Sequence, residues 1–171
     1  MRQKSRTIAI CGLTAALSLV LMGLGSALAV MTYVCPILVG VLLLCVREEL
    51  GVKWSLTLWA AIGLLALMLV PELEMIAVFI GIFGWYPSAK LFLDKLPRAL
   101  SYLARFAALN AAAIAVYAVL IRFMGLDDMP EGLWAWLVLL AAGNVVFYFY
   151  DLLLDRLRFT LVPRLRRLFP R

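Results

Sequence analysis

Asn144, Tyr148, Asp151 and Asp155 follow one another at intervals of four, three and four residues, the spacing that lines side chains along one face of an α-helix. An amide, a phenol and two carboxylates in a row could bind a solute, relay protons or pair with cations. The residues around them are apolar. In hydrocarbon a polar stripe of this kind must turn toward protein or a water-filled cavity, because an ionised carboxylate facing lipid is costly. Two readings stay open for Asn144, midway along its apolar stretch: contact with a ligand, or an amide bond to a neighbouring helix. For Asp151 and Asp155, ion pairs with Lys90, Arg98 or Arg105 are the simpler expectation.

Asn110 and Tyr117, seven residues apart, also share a helix face, where interhelical hydrogen bonding is the simplest use. Trp85, Tyr86 and Pro87 place a proline inside an apolar run, predicting a freed carbonyl and a kink. Gly12 and Ala16 form a small-xxx-small pair, as do Cys11 and Ala15, so a second helix could approach closely there. Cys11, Cys35 and Cys45 lie in apolar runs without CxxC spacing, and the chain has no His, so buried free thiols are expected and no metal site. No Walker lysine motif, HExxH, GxSxG or pair of catalytic carboxylates occurs. Neither an enzyme nor a cofactor is therefore expected.

The elements that must position these groups follow from composition. Of the 171 residues, 66% are hydrophobic and 15% charged, and the mean hydropathy is +1.04. Soluble domains run at about 45 to 50% apolar and about 25% charged. A globule of this size has too little interior to hide so many apolar side chains, and a bilayer removes the difficulty. At about 20 apolar residues per span, the uncharged runs predict an all-α bundle of six transmembrane helices at 8–28, 31–46, 54–70, 75–93, 106–124 and 133–154. Gly23, Gly25, Ser26, Thr32, Tyr33 and Pro36 supply the turn between the first two. Arg47, Glu48, Glu49, Gly51 and Lys53 form the next break. The second span is short, and a tilted or re-entrant segment is the alternative. Lys90 is expected near an interface, with its ammonium reaching water.

Charge gives the direction. With the N- and C-termini both cytoplasmic, the net +6 chain keeps every Lys and Arg except Arg122 on the inner side, while Glu72, Glu74, Asp127, Asp128 and Glu131 fall outside. Tyr33, Trp134 and Trp136 then mark the outer interface, Trp54 and Tyr102 the inner one. The opening MRQKSR, with Ala27-Leu28-Ala29 beyond it, imitates a secretory signal. Its apolar stretch is too long, however, and another follows at once, so a retained first span is expected. Basic residues cluster between apolar runs rather than along one face, which argues against nucleic acid. One transmembrane domain (1–155) and a basic amphipathic tail (156–171) are expected, the tail setting Leu165, Leu168 and Phe169 against Arg164, Arg166, Arg167 and Arg171 beside an anionic inner leaflet.

A bundle of this size opening with TIAICGLTAALSLVLMGLGS resembles the S components, the substrate-binding membrane subunits of energy-coupling factor transporters. The segments CPILVGVLLLCVREELGVKW and FGWYPSAK are also similar to a group of small uncharacterised membrane proteins of Gram-positive bacteria, which implies no chemistry. The S-component resemblance implies a location in the bacterial cytoplasmic membrane and contact of Gly12 and Ala16 with a transmembrane coupling subunit served by ATPases. It further implies an outward pocket for a small vitamin-like solute or metal ion, drawing on Tyr33, Glu72, Tyr117, Trp134 and Asn144. The alternative expectation is a non-transporting scaffold of the bacterial cell envelope that holds partners on its faces.

Overall fold

The computed structural model describes residues 2–28, 31–124 and 133–168, with side chains described at 4–28, 31–97, 99–122, 134 and 136–160. The acidic turn with Asp127, Asp128 and Glu131, the side chain of Arg98 and the side chains of the arginine-rich tail lie outside these. The described chain is helical: α1 (Arg2–Gly25), α2 (Met31–Leu50), α3 (Val52–Leu69), α4 (Leu73–Val78), a π-helical turn (Phe79–Phe83), α5 (Tyr86–Leu93), α6 (Arg98–Met124) and α7 (Leu133–Leu168). Among the described residues six stretches are long and apolar enough to cross a membrane: Lys4–Gly25, Met31–Leu50, Val52–Leu69, Leu73–Leu93, Ala99–Arg122 and Trp136–Thr160. Large apolar residues such as Leu13, Leu64, Met68, Ile114 and Phe149 stand on the outside. A surface of that kind suits lipid and not water.

Several boundaries differ from expectation for identifiable reasons. Arg47, Glu48 and Glu49 do not break the chain but complete the last turn of α2, because Arg and Glu are good helix formers. Only Gly51 interrupts, at φ +94, a left-handed conformation that glycine takes without a Cβ penalty. The second span is thus a full 20-residue helix. Pro36 lies within it, and the preceding turn is made by Ser26–Leu28 instead, where the Leu28 N–H donates to Gly25 O at 3.0 Å. Arg105, expected in a connection, belongs to α6. The last helix runs on without a break past 154.

The fourth span is broken where Pro87 predicted a kink, and its repair is specific. Proline 87 brings no N–H to the carbonyl four residues earlier, that of Phe83. The chain widens into the π turn, closed by Gly84 N–H donating to Phe79 O at 2.8 Å, and the Trp85 indole N–H donates to Gly81 O at 2.7 Å. The orphaned Phe83 carbonyl accepts the buried Tyr150 hydroxyl of α7 at 3.1 Å. Gly40 of α2 makes room for that hydroxyl, since a Cβ there would sit 2.1 Å from the Tyr150 oxygen.

Two apolar cores result. Met22, Val39, Leu43, Ile62, Met75 and Phe79 join α1, α2, α3 and the broken span. Leu44, Phe83, Tyr86, Leu109, Phe147 and Tyr150 join α2, the broken span, α6 and α7. The second helix and the broken span contribute to both cores and so form the centre of the bundle.

Candidate functional site

At the end of the bundle that carries the basic junctions, α5, α6 and α7 enclose a charge cluster. Lys90 is only 1% exposed, so it does not reach water as expected. Its three ammonium protons have three acceptors: Asp151 Oδ1, the Asp151 carbonyl at 3.3 Å and Asp155 Oδ1 at 3.1 Å. Tyr86 donates to the same Asp151 Oδ1, and Arg105 Nη1 donates to Asp151 Oδ2 at 2.8 Å. Arg105 also pairs with Asp94, and Arg158 ties α7 to Glu48 of α2 at 3.0 Å. The buried rings of Tyr86 and Phe147 pack 4.7 Å apart next to it. Each of these charges faces an opposite one, although Arg105 Nε is buried without a hydrogen-bond partner. Breaking such a buried set from one side typically costs about 3–5 kcal/mol, so its chemistry is that of a clamp.

One turn and more beyond the clamp the polar groups are arranged differently. Asn110 of α6 and Asn144 of α7 face each other as a reciprocal amide pair, with Asn110 Nδ2 donating to Asn144 Oδ1 at 3.1 Å and Asn144 Nδ2 to Asn110 Oδ1 at 2.9 Å. Above this pair α6 and α7 part around a cavity of about 510 Å³. Its walls are apolar, formed by Val78, Ile82, Phe83, Leu109, Ile121 and Leu140 among others, and its far rim carries Tyr33, Tyr117 and Trp136. Ile114, Leu139 and Val146 line it and are exposed, so it opens sideways between the two helices. A volume of this order with few convergent polar groups is typical of small-molecule sites.

Behind the rim stands an acidic group. Tyr33 donates to Glu74 Oε1 at 2.8 Å and lies 3.0 Å from the Tyr117 hydroxyl, which itself comes within 3.5 Å of Glu74. Thr32 donates to Glu72, whose other oxygen is buried without a partner. Among the described residues neither Glu72 nor Glu74 is in an ion pair, in contrast to the matched charges at the opposite end.

The structure therefore brings Tyr33, Tyr117 and Asn144 together around one cavity. Glu72 bonds to Thr32 and does not line it. Trp134 is 81% exposed on the outside of α7, and Trp136 takes the rim position instead. The stripe on the last helix divides: Asn144 faces the cavity, Asp151 and Asp155 serve the clamp, and Tyr148 is half exposed, packed edge-on against Phe149. Asn110 supplies the cavity floor, a role beyond the interhelical bond its spacing suggested. Trp136 and Glu74 were marked by the sequence only as outer-side residues and not as members of a site, and the Phe83 wall carries no signal that separates it from other apolar residues. On α1, Cys11 and Ala15 pack on the core, whereas Gly12 and Ala16 are exposed, with nothing within 4 Å of a Cβ at Gly12. Among the described residues no group of three or more His, Cys, Asp or Glu is placed to hold a metal. Comparison of the chain with family models, with curated proteins and with solved structures finds no match in any of the three.

Proposed function

We propose that this chain is the solute-binding membrane subunit of a transporter of the energy-coupling factor type, set in a bacterial cytoplasmic membrane with both termini inside. The observation that carries this reading is the cavity between α6 and α7, built on the Asn110–Asn144 pair and rimmed by Tyr33 and Tyr117. In the orientation given by the basic residues, that rim lies in the outer half of the membrane, where a solute arrives. The uncovered Gly12–Ala16 face of α1 supports the second half of the reading, since small residues let another helix approach closely. A coupling subunit on that face, driven by ATPases, would then reorient the loaded bundle.

The same uncovered face favours one other reading, a scaffold that holds envelope partners and moves no solute. Native mass spectrometry of the full chain, purified with its associated subunits, separates the two. Retained small molecule that disappears in Asn144→Leu, and retained subunits that disappear in Gly12→Leu, is the result expected of the transporter. Subunits retained with no small molecule in any preparation would leave the scaffold. Unchanged retention in Asn144→Leu would remove the amide pair from the site.

A further inference from the structure

Resting on the reading of the cavity as a solute site, we infer that it selects a molecule with an apolar body and a hydrogen-bond-donating cationic head, an amphipathic amine, and rejects carboxylates and phosphates. The inference comes from counting protons. Asn110 has two amide hydrogens, one given to Phe106 O at 2.8 Å and one to Asn144 Oδ1. Asn144 gives its own two to Leu140 O at 2.7 Å and to Asn110 Oδ1. Because a backbone carbonyl can only accept, these partners fix which atom of each amide is nitrogen. Every donor on the floor is thus consumed. What each amide can still offer a ligand is a lone pair on its oxygen.

The rim repeats the pattern. Tyr33 commits its proton to Glu74, and the Tyr117 proton is taken by Tyr33 or Glu74. Both phenol oxygens therefore meet the cavity as acceptors, and the carboxylate behind them makes them more electron-rich. Among the described residues no Lys, Arg, Ser or Thr lines the cavity, and the Trp136 indole N–H is the one lining side-chain donor not already committed to a partner named above. Arg122, at the same end of α6, is exposed and not part of the lining. An anionic head placed here would lose its hydration and find acceptors opposite it, whereas an ammonium finds phenol oxygens, amide oxygens and, one hydrogen bond away, a carboxylate that pairs with no cation among the described residues. The apolar walls and the sideways opening suit a body that partitions into lipid before entering.

Three isosteric probes test this on the full chain in nanodiscs of zwitterionic lipid: phenylbutylamine, phenylbutanol and phenylbutyrate, radiolabelled, with uptake by empty nanodiscs subtracted. Saturable binding of the amine at least about tenfold tighter than the carboxylate is expected, the scale of one charge-assisted hydrogen bond. That preference should shrink in Glu74→Gln, and in Tyr117→Phe, which keeps the ring and removes one acceptor, so either variant suffices if the other lowers the yield of folded protein. Carboxylate bound as tightly as the amine would overturn the donor-head inference while leaving the cavity a solute site. So would an amine preference unchanged in both variants. No saturable binding of any probe, with phospholipid alone retained, would overturn the inference and the solute-binding reading together.

Discussion

Pro87 shows how one residue's chemistry is absorbed by another distant in sequence. Its ring deprives Phe83 O of an in-helix donor, and Tyr150 supplies the missing proton from α7. Removing that hydroxyl in Tyr150→Phe should cost about 1–3 kcal/mol, the desolvation penalty of a carbonyl left unpaired in an apolar core. Pro87→Ala returns an N–H to the span, so in that background Tyr150→Phe should cost clearly less. A double-mutant cycle of thermal unfolding in detergent measures the difference, and strict additivity would separate the two residues. The sequence showed that Pro87 must free a carbonyl, but not what would satisfy it, because Tyr150 looks like any aromatic in an apolar run. The pairing of Lys90 with Asp151 and Asp155 was legible from the residues, whereas its complete burial was not. Its position near the end of an apolar stretch is equally consistent with reaching water and with burial, and the register of α7 beside α5 decides for burial.

Elements differ chiefly in which face they leave uncovered. Gly12 and Gly40 both stand in apolar helices and read alike in sequence, yet a Cβ at Gly12 meets nothing, while one at Gly40 would lie 2.1 Å from Tyr150 Oη and 2.9 Å from Phe83 O. Gly40→Ala should therefore destabilise the isolated chain by about 1–3 kcal/mol through overpacking, with Gly12→Ala as a matched control that leaves the unfolding midpoint in place. Equal effects would show that α2 does not approach the broken span as closely as described. The small-residue spacing on α1 was visible from the residues alone. That Cys11 and Ala15 face the core while Gly12 and Ala16 face outward required the packed bundle, since a step of one residue turns a side chain by about 100° around the helix.

Across the whole molecule the two ends are chemically opposite. One end holds buried, matched ions, and the other holds carboxylates that pair with no cation among the described residues, beside a cavity of tyrosines and amides. The spans were legible because lipid forces long apolar helices, a constraint strong enough to survive wrong boundaries at Arg47 and Arg105. The cavity was legible only in part: Tyr33, Tyr117 and Asn144 stood out as polar groups in apolar runs, but the parting of α6 and α7 follows from packing that no local pattern encodes. The acidic end faces outward in this account, and thiol labelling in intact cells tests that most directly. With Cys11, Cys35 and Cys45 replaced by alanine, Ala27→Cys at the acidic end should react with a membrane-impermeant maleimide, and Thr160→Cys at the basic end only after permeabilisation. Labelling of Thr160→Cys, and not Ala27→Cys, from outside intact cells would invert the bundle and close the cavity to any solute arriving from the exterior.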